Sequence, residues 1–200
     1  MIKILIAEDQ SMVLGALSAL LDMEEDFEVV EQAENGKDAL VRSQQHSIDI
    51  ILTDIEMPSM TGIELAQELQ LINHPAKVMI LTTFVRGGYL RRAMDAGVRG
   101  YLLKDAPSDS LADAVRKIHA GKVIVAPELV TEAWAADDPL SDNERKVLRF
   151  SLEGNSTKEI ADLIYLSAGT VRNYLSQATS KLGAKNRIEA ARIAKQKGWL

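Results

Sequence analysis

The sequence predicts an α/β fold, a five-stranded doubly wound parallel sheet covered by helices, followed by a small all-α module of four helices. Three observations carry this. Over the first 121 residues, short apolar runs alternate with amphipathic helical patterns. From Leu140 onward every pattern is helical. Charge divides along the same line: residues 1–136 hold 12 Lys and Arg against 21 Asp and Glu, a net −9, whereas residues 137–200 hold 11 against 8, a net +3. The net −6 of the whole 200-residue chain argues against a nucleic-acid partner, but the split weakens that objection.

Strands are expected at 2–7, 27–33, 49–53, 77–82 and 100–104, where β-branched and aliphatic residues run together. The runs at 2–7, 49–53 and 77–82 lack polar alternation, as central strands buried on both faces should. FEVVEQA at 27–33 is more polar and reads as an edge strand. Between the strands lie helical patterns at Ser11–Met23, Gly36–Gln44, Thr61–Leu71, Gly87–Ala96 and Ser108–Ala120. Leu14, Leu17, Leu20 and Leu21 have the spacing of one buried helix face. Parallel strands need crossovers, and right-handed crossovers place helices on both faces of the sheet. Residues 122–139 contain two prolines, Pro127 and Pro139, and no sustained period, so 122–138 read as a linker with one short helix. The last module, 139–200, is expected to hold helices at Ser141–Leu152, Thr157–Tyr165, Ala168–Leu182 and Arg187–Lys197.

The chain has no cysteine, which excludes a disulfide framework and a thiolate metal site and suits a reducing cytoplasm. MIKILIAEDQ reaches Glu8 and Asp9 after too few apolar residues for a signal segment. No apolar run approaches the ~18 residues of a membrane span. A soluble cytoplasmic protein with no membrane insertion is expected.

The most apolar run, DIILTDIEMP, ends on two acids, Asp54 and Glu56, before Pro58. They fit a catalytic pair, metal ligands or solvated turn residues. In doubly wound sheets, ligands bind where the strands' carboxyl ends meet the reversal of strand order. Glu8 and Asp9 follow the first strand, Asp54 the third, Thr82 and Thr83 the fourth, and Lys104 the fifth. Each has an ordinary reading alone, as a helix cap, a turn acid, a strand-end threonine or a surface lysine. Together they place acids where they repel unless a cation sits among them, and an oxygen-only set suits Mg²⁺. A carboxylate beside Mg²⁺ is a nucleophile towards phosphorus, giving an aspartyl phosphate. Lys104 and the Thr82 hydroxyl would then serve the phosphoryl oxygens.

On these residues the first 121 positions resemble a two-component response-regulator receiver of flavodoxin-like fold. The landmarks are Glu8-Asp9, Asp54 followed by Met57-Pro58 and Gly62, Thr82, and Tyr101-Leu-Leu-Lys104. The resemblance implies that Asp54 is the phosphoacceptor and that Asp9 and Asp54 ligate Mg²⁺ with Glu8 assisting. It assigns the Glu56 backbone carbonyl a further metal bond, Lys104 the phosphoryl group, and Thr82 with Tyr101 the role of a switch couple. Glu56 and Phe84 occupy positions that modulate phosphoryl lifetime in that family.

The basic module opens with a capping box, Ser141 with Glu144. Two short helices about Leu166-Ser-Ala-Gly169 then make a helix-turn-helix pattern, whose second helix enters the major groove. Ile160, Ala161, Ile164, Val171, Leu175 and Leu182 are its expected core. Arg172, Asn173 and Ser176 belong to its expected reading surface, Lys158, Lys181, Lys185 and Arg187 to its phosphate contacts, and Thr170 is a further expected DNA contact. Gly169 near the start of the second helix costs helix stability relative to alanine. Leu140-Ser-Asp-Asn-Glu144, Thr157-Lys-Glu-Ile-Ala161, Thr170-Val-Arg172 and Lys181-Leu182 resemble the LuxR/NarL DNA-binding domain. Asn173-Tyr174 and Ser176 depart from the residues frequent there.

The whole chain thus resembles a NarL/FixJ-type response regulator, and APEL, GTVRNYLS and NRIEA further resemble the desaturase-regulating subgroup of Gram-positive bacteria. The resemblance implies a transcription regulator that is not an enzyme. Its implied partners are a sensor histidine kinase, double-stranded promoter DNA and a second copy of the chain on phosphorylation, and it allows RNA polymerase. The last helix offers Ile188, Ala191 and Ile193 for pairing. Two other classes are weighed: an aspartyl-phosphate phosphatase, disfavoured by Glu56 and Pro58 after Asp54, and a phosphate-independent DNA-binding protein using its receiver as a scaffold.

Overall fold

A computed structural model describes residues 1–83, 87–133 and 138–200. The chain divides into two compact units with the break in sequence after Thr131. Among the described residues, the first unit is a parallel sheet of β1 (Ile2–Ala7), β2 (Phe27–Ala33), β3 (Ile50–Thr53), β4 (Lys77–Thr82), β5 (Gly100–Leu103) and β6 (Ile124–Val125). Interleaved are α1 (Ser11–Asp22), α2 (Gly36–Gln45), α3 (Gly62–Leu71), α4 (Gly87–Asp95) and α5 (Ser108–His119), with α6 (Pro127–Ala133) after the sheet.

Strand order is β2-β1-β3-β4-β5-β6, so the polar run at 27–33 does lie at an edge and the order reverses beside β1. Alternation along each strand loads both faces with apolar side chains. Ile4, Ile6, Ile50, Leu52 and Met79 form one cluster with Leu14 and Leu21 of α1 and Leu111, Val115 and Ile118 of α5. Their neighbours Leu5, Ile51 and Ile80, of opposite parity, are equally buried on the other face. This double burial explains the unbroken apolar runs read from the sequence.

The sheet has six strands rather than five. Ile124 and Val125, expected in an irregular linker, pair with Gly100 and Tyr101. Their two-residue length defeats any periodicity, but β-branched side chains beside an open strand edge suffice. Ile124 N–H donates to Arg99 O (2.9 Å) and Ala126 N–H to Tyr101 O (2.9 Å).

The second unit holds α7 (Asp142–Leu152), α8 (Thr157–Leu163), α9 (Ala168–Lys181) and α10 (Arg187–Gln196). Capping boxes start α7 at Ser141 and α8 at Ser156, and Ser167 caps α9. Ile160, Ala161, Val171 and Leu175 are buried with Val147, Leu148 and Ala190, while Ile164 and Leu182 pack at the margin. α8 stops two residues short of the expected Tyr165, because Tyr165 turns left-handed (φ 55°) and Leu166 N–H reaches back to Ala161 O (3.0 Å).

Candidate metal centre and nucleic-acid interface

Backbone bonds at the strand ends build the acidic rim. Asp54 N–H donates to Ala7 O (2.9 Å), Glu8 N–H to Ala33 O (3.0 Å) and Lys104 N–H to Thr82 O (2.8 Å). These tie the carboxyl ends of β2, β1 and β3 together at the reversal of strand order, and those of β4 and β5 to each other. Glu8, Asp9 and Asp54 each offer a carboxylate oxygen within 4.8 Å of one another. Glu8 and Asp54 are buried and Asp9 is exposed.

Lys104 faces the two buried acids. Its Nζ lies 2.6 Å from Glu8 Oε2 and 3.3 Å from Asp54 Oδ2. Burial pushes the Asp54 carboxyl up to about 6, with Glu8 adding to the shift, against the opposing pull of Lys104 and the Ile55 backbone. A buried acid so disfavoured as an anion, beside a second carboxylate and an exposed third, is an oxygen-only donor set with room for a hard cation's charge.

The loop after β3 fixes where Asp54 presents its side chain. Thr53 Oγ1 donates to Asp54 O (2.9 Å) and Gly62 N–H to Ile55 O (3.0 Å). A Cβ on Gly62 would overlap the Asp54 carbonyl oxygen, so α3 approaches the acid this closely only through a glycine. Thr61 caps α3 with a full capping box. Glu56 sits half-buried in this loop, Thr82 is fully buried at the end of β4, and Tyr101 is fully buried within β5. The structure brings Glu8, Asp9, Asp54 and Lys104 together. Phe84 lies outside the described residues.

In the second unit, α9 carries Val171, Leu175 and Ala178 inward and leaves Arg172, Asn173 and Ser176 exposed. Lys158, Lys181 and Lys185 are exposed and Arg187 is half-buried. The Thr170 hydroxyl lies 2.9 Å from Ser167 Oγ, which also accepts from Thr170 N–H (3.0 Å), within the cap of α9. Of the apolar residues expected to pair on α10, Ala191 is instead buried in the unit's own core against α7, and only Ile188 is exposed. The alternation of small and large residues hid which side of α10 faces inward.

Glu144 does more than close the capping box of α7. Glu144 Oε2 accepts from Ser141 N–H (2.6 Å) and also takes Lys181 Nζ (2.8 Å) from the last turn of α9. Burial would raise the Glu144 carboxyl, but hydrogen bonds from Lys181 and Ser141 outweigh it and hold the group below the ordinary range. Glu144 therefore joins the start of α7 to the end of the helix that carries the exposed polar face. No spacing rule links residues 37 positions apart, so the sequence carried no signal of this.

A doubly wound sheet with an acidic carboxyl edge, joined to a helix-turn-helix unit, defines the chain's class. Residues 4–116 match the response regulator receiver domain family, and residues 138–194 match the bacterial regulatory proteins of the luxR family. The chain belongs to the LuxR-type transcriptional response regulators. It is 50% identical over 199 residues to the transcriptional regulatory protein DesR of Bacillus subtilis (strain 168), covering 100% of this chain and 99% of DesR. It is also 50% identical, with 100% of both chains covered, to the transcriptional regulatory protein YvfU of the same organism. Among solved structures, the response regulator ChrA of a heme-sensing two-component system is similar at a TM-score of 0.59. The two are 32% identical, with 100% of this chain and 98% of ChrA covered.

Proposed function

We propose that this regulator is switched by phosphorylation of Asp54 and, once phosphorylated, binds promoter DNA as a dimer. The observation that carries the reading is the convergence of Glu8, Asp9 and Asp54 on one point with Lys104 beside them. The donor in this reading is the phosphohistidine of a sensor kinase. An Asp54 carboxylate oxygen attacks phosphorus, the N–P bond breaks and an acyl phosphate forms. Mg²⁺ held by Asp9, Asp54 and the Glu56 backbone carbonyl, with Glu8 assisting, supplies charge neutralisation for the phosphoryl oxygens when bound. Lys104 now spans Glu8 and Asp54, and the incoming group gives its ammonium a third anionic partner.

Thr82 then follows the phosphoryl oxygens and Tyr101 repacks, a population shift spread from strand ends that the backbone already ties together. The working division is a phosphoacceptor module whose sheet extends past residue 121 to Val125, a connection running on to 138 and a DNA-binding module over 139–200, acting in the cytoplasm. Arg172, Asn173 and Ser176 read base edges. Lys158, Thr170, Lys185 and Arg187 meet phosphates, and Lys181 adds its charge from the place where Glu144 holds it.

Duplexes enriched from a random pool by the wild-type protein with beryllofluoride and Mg²⁺ supply the test. Arg172→Ala should lose about tenfold to a hundredfold of the preference for the enriched duplex over random duplex. Undiminished preference contradicts the reading role of α9. Equal wild-type affinity with and without beryllofluoride contradicts phosphorylation control.

A further inference from the structure

Gly169 is the second residue of α9, and nothing in the fold asks for a glycine there. It lies in regular helix with φ outside the left-handed region, and a Cβ added to it would meet only Ser167 Oγ at 3.5 Å, an ordinary contact. By contrast, Gly36, Gly62 and Gly100 have neighbours that a Cβ would overlap or crowd. Among non-proline residues glycine is the poorest helix former, so α9 gives up stability for no packing return.

Its position indicates what the missing Cβ makes room for. Residues 169, 172, 173 and 176 follow the i, i+3, i+4, i+7 spacing of a single helix face. Arg172, Asn173 and Ser176 are all exposed on that face, and Gly169 is its N-terminal member. In helix-turn-helix proteins the N-terminal residues of the second helix go deepest into the major groove. A glycine at that end lets the backbone itself approach the base edges or the flanking sugar-phosphate chain, as glycines do wherever main chain closes on a ligand.

We infer that Gly169 sets the depth at which α9 docks, and that the exposed face begins with a designed absence of side chain so that Arg172 and Asn173 reach their bases. Gly169 is a positioning residue for DNA. The inference rests on the DNA-binding reading above and predicts an opposition that a merely structural glycine would not produce: filling the position strengthens the helix while weakening site recognition.

The experiment compares wild type, Gly169→Ala and Gly169→Leu as full chains carrying beryllofluoride and Mg²⁺. The probe is the duplex enriched by the wild type, with a random-sequence duplex as reference. Gly169→Ala should raise the unfolding midpoint of the C-terminal unit by about 4 °C and weaken binding to the enriched duplex about tenfold. Gly169→Leu should weaken it further, with affinity for random duplex at low salt unchanged in both. Undiminished affinity and selectivity in Gly169→Leu overturns the inference. A lowered midpoint in Gly169→Ala also overturns it, since the fold would then need the glycine for itself. Failure of the wild type to enrich any duplex overturns the DNA-binding reading, which separates the two failures.

Discussion

Asp54→Asn stabilises the metal-free protein at neutral pH by about 3 kcal/mol and loses the advantage near pH 4. The expectation comes from the raised carboxyl at Asp54, about 6 in the folded protein against an ordinary 3.8. Between those values the folded state binds a proton that the unfolded chain has released, so stability falls as pH rises through that window and stays low above it. An asparagine never carries the charge and escapes the loss. The physical source is an acid with only 7% of its surface exposed, facing a second buried carboxylate, with one lysine shared between them at 2.6 and 3.3 Å. Urea unfolding of both proteins in chelator across pH 4 to 8 measures the difference directly. A variant less stable than wild type at neutral pH would mean that Lys104 more than repays the burial of Asp54. If Asp54 is the phosphoacceptor proposed above, the same substitution replaces the carboxylate nucleophile by an amide and should also end phosphoryl acceptance.

Gly62→Ala is expected to damage the same site from the other side. The added methyl would overlap the Asp54 carbonyl oxygen and crowd Thr53 Oγ1 at 2.9 Å. The nearest atom is backbone, the Asp54 carbonyl oxygen, so the first turn of α3 or the Asp54 peptide must shift. Overpacking of this kind costs about 1–3 kcal/mol, towards the upper end where backbone must give way. The displaced peptide bears Asp54, so divalent-cation affinity should fall with stability. Urea unfolding and Mg²⁺ titration of the variant test this. Wild-type values for both would mean that the loop after β3 yields without cost.

The sheet and the helix-turn-helix unit were legible because their signals are local and redundant. DIILT and KVMILT show no polar alternation because both faces are buried, and Ser141 announces α7 by its capping box with Glu144. The rim residues could be found because doubly wound topology sends strand ends to one edge. What escaped depends on the third dimension. Val125 joins the sheet only because β5 offers an edge. Glu144 meets Lys181 across two helices, and Ala191 turns inward because α10 packs on α7. The burial that raises Asp54 is likewise a property of the assembled edge, not of DIILTDIEMP.

The most direct test of phosphorylation control is intact-protein mass after incubation with phosphoramidate and Mg²⁺, followed by binding of the same sample to its enriched duplex. The account predicts one added phosphoryl group in the wild type and none in Asp54→Asn, with tighter duplex binding only in the modified wild type. A phosphoryl group that persists in Asp54→Asn, or a modified wild type that binds no more tightly than the unmodified protein, would contradict it.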